Sequence, residues 1–115
     1  MNSIVEDEKL DALFLALADP TRRAIVRRLS EGDVTLSELG DQFPITLPAI
    51  AKHLRILERA GLLVRGRDAQ RRPCTLRGES LGDAVEWLDR YRTFWSESFD
   101  RLDDHLRDLQ NGADR

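Results

Sequence analysis

The sequence predicts a mainly α-helical domain carrying one two-stranded hairpin, and three observations support that class. Apolar residues recur at steps of three and four along most of the 115 positions, the spacing of one helix face. Asp19, Thr35 and Thr46 each stand directly before such a run, where a short oxygen-bearing side chain accepts from the first free backbone amides. Leu63, Arg65 and Arg67 alternate with Leu62, Val64 and Gly66, the period of a strand, and the segment Arg72 to Leu76 can return beside them. The length suits one domain, residues 1–115, with little room for both a binding surface and an enzyme active site. No Ser/His/Asp set, cysteine–histidine pair or phosphate-binding glycine loop is evident, so catalysis is not expected.

In chain order, Leu10, Leu13, Phe14 and Leu17 form one apolar stripe of a first helix, residues 8–18. Asp19-Pro20 restarts the chain: Asp19 caps, and Pro20 occupies a first-turn position whose N–H would lack a helical partner. The second helix continues through Ala24, Ile25 and Leu29, with Arg22, Arg23, Arg27 and Arg28 along its other sides. Those arginines suit either solvent or phosphate oxygens.

Residues 35–61 read as two short helices held at a fixed corner, a helix-turn-helix. Thr35 with Glu38 three positions on is a capping-box start, Phe43-Pro44-Ile45 is the corner, and Thr46 with Pro48 opens the second helix. That helix stops at Gly61, the residue best able to take the left-handed conformation past a helix end. At 100° per residue Ile50, Leu54 and Leu57 share one stripe, and Pro48, Lys52, Arg55 and Arg59 share the opposite one beside the small Ala49 and Ala51. A basic, small-residue face at the start of such a helix is what close approach to a DNA major groove requires. Thr46, Leu47, Pro48, Ala51, Lys52 and Arg55 are therefore the expected base-proximal residues. Seen alone, a basic helix face is usually just solvated; two caps, a short corner and a basic outer face together carry the DNA reading.

Residues 62–77 form the expected hairpin, a wing with a basic rim. Arg65, Arg67, Arg71 and Arg72 are dense enough for backbone or minor-groove contact, although arginines can also simply protect a sheet edge. Pro73 cannot donate to a ladder, so the return strand must be short or lie at an edge. From Ser80 to Leu109 one long helix is expected, with Leu81, Val85, Leu88, Trp95, Phe99, Leu102, Leu106 and Leu109 in alternating steps interrupted at Arg92. A second stripe, Trp87, Tyr91 and Phe94, adds more apolar surface than one small domain can cover and implies a partner chain. A homodimer through residues 8–18 and 80–109 is expected, its interface built from Leu10, Leu13, Phe14, Leu17, Trp95, Phe99, Leu102 and Leu106. Gln110 to Arg115 read as a frayed tail.

The formal charge of −3 is unevenly spread. Residues 1–20 hold five acids against one lysine, residues 21–77 twelve Lys or Arg against six acids, and residues 78–115 ten acids against five arginines. The basic middle is the part suited to phosphates, while acidic flanks oppose non-specific sticking. The single cysteine, Cys74, excludes an internal disulfide, and the acidic start MNSIVEDEKL offers no signal peptide or membrane span, so a reducing cytoplasm is expected. Cys74 has no resolving partner and reads as a packing residue. Asp104, His105 and Asp108 on the last helix are a weak ligand set, because zinc prefers several His or Cys ligands. Neither a metal nor another cofactor is expected.

The runs LADPTRRAIVRRL (Leu17 to Leu29), TLSELGDQFPITLPAIAKHLRILERAGLL (Thr35 to Leu63) and EWLDRYRTFWSESFDRLDDHL (Glu86 to Leu106) resemble the ArsR-type winged helix-turn-helix regulators. The resemblance spans roughly Leu13 to Leu109, and DPTRR together with PAIAKHLRILERAGL is specific. It implies a winged helix-turn-helix with a long C-terminal dimerisation helix, and a dimeric, usually autoregulatory repressor that binds double-stranded operator DNA. Related metal sensors carry cysteines in the helix that here reads SELGDQF, so the likeness is to the branch without metal-binding cysteines. By the same likeness the Arg22-Arg23 pair lies on a helix supporting the reader, and His53, within the family's KHL pattern, is a packing or DNA-proximal residue. This chain departs from the pattern at the wing tip, where Ala69-Gln70 replaces the usual glycine, and at Leu47, a position often polar. Leu47 admits an alternative, a winged-helix module that binds and sequesters another regulator.

Overall fold

The structure, a computed structural model, describes residues 4–67 and 72–113. Among them the elements follow in the order α1 (Ile4–Leu17), α2 (Pro20–Leu29), α3 (Leu36–Gln42), α4 (Leu47–Arg59), β1 (Leu63–Arg65), β2 (Cys74–Leu76), α5 (Gly78–Asp89) and α6 (Arg92–Ala113). They group into two compact units, Met1–Ala84 and Val85–Arg115, divided within α5.

The core of the first unit is assembled around α4. Ile50, Leu54 and Leu57, one turn apart on a single face, are fully buried against Leu13 and Ala16 of α1, Ile25 and Leu29 of α2, and Leu39 of α3. Each such side chain contributes roughly 1.5–3 kcal/mol by leaving water. Leu62, Leu63, Cys74 and Ala84 close the same cluster from the hairpin and the middle of α5.

Local chemistry sets the helix ends. The Asp19 carboxylate accepts from the Arg22 backbone N–H at 3.0 Å and the Thr46 hydroxyl from the Ala49 N–H at 3.3 Å. At α3 the capping box is complete: Thr35 Oγ1 accepts from the Glu38 N–H at 3.1 Å, and the Glu38 carboxylate accepts from the Thr35 N–H at 3.4 Å. Gly61, at φ +78°, ends α4. Its N–H donates to Glu58 O and that of Leu62 to Leu57 O, both at 2.9 Å, the paired bonds of a Schellman cap. Ser80 Oγ donates to the Gly61 carbonyl at 3.0 Å, so a side chain at residue 61 would meet both a left-handed backbone and the Ser80 hydroxyl.

The hairpin is antiparallel, pairing Leu63 with Leu76, Val64 with Thr75 and Arg65 with Cys74. The return strand expected from Arg72 to Leu76 is shortened to Cys74–Leu76. Pro73 contributes only its carbonyl, which accepts from the Gly66 N–H at 2.7 Å, and Arg72 sits at φ +43°, outside the extended region. Val34, ahead of α3, bridges to Cys74 through N–H to O bonds of 3.2 and 2.7 Å, which ties the base of the wing to the helix-turn-helix.

In the second unit the expected continuous helix over 80–109 is two helices. The Arg90 N–H donates to Trp87 O at 3.4 Å and the Tyr91 N–H to Leu88 O at 3.0 Å. Both are i→i−3 bonds that tighten the chain and end α5 before α6 begins. The Asp89–Arg92 ion pair at 2.7 Å and the tilted Trp87–Tyr91 rings, 5.2 Å apart, straddle the turn. The expected tail is also shorter, because α6 continues to Ala113. At the other end, α1 begins at Ile4, ahead of the expected residue 8.

Leu54→Ala is expected to lower stability by about 2–5 kcal/mol through reduced burial and a cavity, and Thr35→Ala by about 1 kcal/mol through removal of the cap. Urea denaturation of the two variants beside the parent measures both.

Candidate nucleic-acid interface

Burying Ile50, Leu54 and Leu57 turns the opposite face of α4 outward. Pro48, Lys52, Arg55 and Arg59 are exposed on it, and Ala51 beside them is half-buried and small. Thr46, at the N-cap, is exposed although its hydroxyl already accepts from α4. Leu47 is 49% exposed, and its Cδ2 lies where a side chain on Gly40 would have to go, so Gly40 lets α3 and α4 close together under it. The expected base-proximal set thus occupies one end and one side of a single helix.

The wing presents Arg67 and Arg72, both exposed, while Arg71 lies outside the described residues. Arg65, grouped with them by sequence, is half-buried in the stem opposite Cys74. Burial pushes the Cys74 thiol above its ordinary value, against the opposing pull of the Arg65 guanidinium. A fully buried thiol held protonated is a packing group.

The arginines of α2 divide by what they hold. Arg22 Nε donates to Ala16 O at 2.6 Å at the end of α1, and its NH2 group donates at 3.0 Å to Leu15 O, which also accepts from the Ala18 N–H at 3.2 Å. Arg23 donates to Leu17 O at 2.8 Å. Arg28 Nε donates to Gln42 of α3 at 3.1 Å and its NH1 group to Gly32 O at 3.2 Å. These three guanidiniums brace the scaffold. Asp19 faces Arg22 as well: the Arg22 backbone N–H, outweighing some desolvation and aided by the guanidinium, holds its carboxyl below the usual 3.8.

Of the residues expected at a dimer interface, Leu13 is 2% exposed and belongs to the core, so it offers a partner nothing to touch. An apolar stripe on α1 had two possible destinations, and Leu13 with Ala16 turns inward beneath α4. Leu10 and Leu17 are partly buried against the same core, whereas Phe14 is exposed. In the second unit Trp95, Phe99, Leu102 and Leu106 are each about half exposed along α6. Among the described residues no three His, Cys, Asp or Glu side chains gather as a metal site, and no helix is long and apolar enough to cross a membrane.

Comparison with known proteins fits this geometry. Residues 17–66, from the end of α1 through the first wing strand, match the family described as a helix-turn-helix domain. The HTH-type transcriptional regulator Rv2034 of Mycobacterium tuberculosis is 39% identical over 72% of this chain and 78% of its own length. The transcriptional repressor SdpR of Bacillus subtilis is 34% identical over 69% of this chain and 88% of its own length. The crystal structure of an ArsR family transcriptional regulator superposes with a TM-score of 0.74 at 36% identity, covering 84% of this chain and 97% of that one. The chain belongs to the ArsR family of winged helix-turn-helix transcriptional regulators. Within that ArsR fold α3 and α4 are the helix-turn-helix and β1–β2 the wing, and the family is one of regulators, not enzymes.

Sequence reasoning missed the Val34–Cys74 bridge, the seat of Leu47 on Gly40 and the carbonyl contacts of Arg22. Only the last left a trace, an arginine three positions after a cap, close to the end of the preceding helix.

The lowered carboxyl of Asp19 stabilises the fold fully above the unfolded-state value and loses that contribution as pH falls through the folded one. The stability gap between the parent and Asp19→Asn is therefore expected at pH 7 and should close as pH is lowered below about 4. Denaturant titrations across that range measure it.

Proposed function

We propose that the chain is a dimeric, cytoplasmic repressor that reads an inverted-repeat operator through α4. The observation that carries this is the division of α4: three fully buried apolar residues on one side, and Lys52, Arg55 and Arg59 exposed on the other beside small alanines. Phosphate contacts from Arg59, Arg67, Arg71 and Arg72 would hold the register, and residues from Thr46 to Arg55 would meet base edges. The repressing sense is supported by SdpR, a transcriptional repressor by name. Half-exposed Leu47 keeps a second reading in view, docking onto another protein, for which an apolar residue at the tip of the reader is suited.

Lys52→Glu and Arg55→Glu are each expected to weaken DNA binding at least tenfold (~1.4 kcal/mol) with the melting temperature unchanged, since both side chains leave the core untouched. Arg67→Ala with Arg72→Ala should weaken binding evenly across sequences and flatten the log–log salt dependence by about one unit for each phosphate that is no longer neutralised. Electrophoretic mobility shifts over a salt series measure both. A Lys52→Glu variant that binds like the parent would turn the assignment to the protein-docking alternative.

The dimer rests on the exposed apolar row of α6, where Trp95 and Phe99 stack at 6.0 Å and Leu102 and Leu106 continue the line. Two readers related by a two-fold axis would meet half-sites about one helical turn apart, ~10–11 base pairs. Phe99→Asp with Leu102→Asp is expected to abolish assembly, and operator binding with it, although every residue of α4 is retained. Sedimentation at micromolar concentration should find the parent dimeric and the double variant monomeric, and a monomeric parent would sink the proposed spacing.

A further inference from the structure

Arg22 reaches further than the end of α1. Its NH1 group lies 3.4 Å from Nδ1 of His53, the half-buried residue of α4 between exposed Lys52 and buried Leu54. The same guanidinium donates to Ala16 O and Leu15 O and lies 3.9 Å from the Asp19 carboxylate. An arginine can only donate, so Nδ1 must accept, and the ring proton then sits on Nε2. The side chain is 14% exposed and committed on every arm, which leaves it no free reach toward a phosphate.

What this clamp adds to the core is direction. The apolar contacts of Ile50, Leu54 and Leu57 hold α4 down, but hydrophobic burial is non-directional and tolerates a small rotation or slide of the helix. A hydrogen bond to His53 from a fork already fixed to two backbone carbonyls does not. Lys52 adjoins His53 in the chain and Arg55 follows two positions on, so a turn of α4 about its axis re-aims both.

We propose that Arg22 is a positioning residue for DNA reading: through His53 it fixes the rotation of α4 and with it the aim of Lys52 and Arg55 at base edges. This rests on the DNA-binding function proposed above. A lysine cannot replace it, because a single ammonium cannot span two carbonyls and a ring nitrogen in one plane.

The test uses the full chain, a duplex selected by the parent from a randomised library, and the same duplex scrambled. Arg22→Gln and Arg22→Lys, normalised for the folded fraction, are expected to lose about tenfold in the selected-to-scrambled affinity ratio, with the salt slope unchanged. In a His53→Leu background Arg22→Gln should cost little more, since its partner is already gone. Long-range proton–nitrogen NMR should find the His53 ring in the Nε2–H form in the parent and a mixture of tautomers in Arg22→Gln. A folded Arg22→Gln that keeps the parent ratio overturns the proposal, and so does a salt slope lowered by about one unit, the mark of a direct phosphate contact. If Arg22→Gln does not fold, His53→Leu carries the test from the other end: a lowered ratio at unchanged slope supports the proposal, and a parental ratio overturns it. A parent that binds neither duplex overturns the DNA-binding function and this inference with it, whereas a parent that binds alongside an equally selective Arg22→Gln overturns this inference alone.

Discussion

Ile50, Leu54 and Leu57 are sealed from water on one side of α4, and that burial determines what the other side can do. At 100° per residue a helix cannot hide three positions at steps of four and three without turning Pro48, Lys52, Arg55 and Arg59 outward. The surrounding elements serve that orientation. Thr46 starts the helix where Leu47 can settle over Gly40, the Schellman turn at Gly61 sends the chain back into β1, and the Val34–Cys74 bridge ties the hairpin to the segment that leads into α3. The helix-turn-helix and the hairpin thereby share one core.

Formal charge and available charge differ in this chain. The middle of the sequence is strongly basic, yet Arg22, Arg23 and Arg28 donate to carbonyls and to Gln42 within the fold, and Arg65 stands in the wing stem. Among the described residues, exposed cations on α4 and the wing include Lys52, Arg55, Arg59, Arg67 and Arg72, on elements suited to a groove and its flanking backbone. Arg22 and Arg23 donate to carbonyls at the end of α1, so part of the formal positive charge of the middle segment is engaged within the fold.

Much of this was legible in the sequence because it depends on neighbours in the chain. Asp19, Thr35 with Glu38, Thr46 and Gly61 act over three or four residues, and the division of α4 follows from periodicity alone. What stayed hidden depends on distant partners or on features without a residue signature. The single pairing of Val34 with Cys74 is too short to carry alternation. The break at Arg90–Tyr91 has no proline or glycine to announce it. The inward turn of Leu13 could not be separated from an outward one, since an apolar stripe states that a face is buried and not by what. The candidate site divides in the same way: the outward face of α4 was readable, whereas the Arg22–His53 contact joins residues 31 positions apart.

The central claim, that α4 enters the major groove, is tested most directly by methylation interference on a duplex selected by the protein. Methylation at guanine N7 blocks the major groove and methylation at adenine N3 blocks the minor groove. Interference from guanine N7 in two clusters about one helical turn apart, ~10–11 base pairs, is the predicted result. Interference confined to adenine N3, or none at either position, would contradict it.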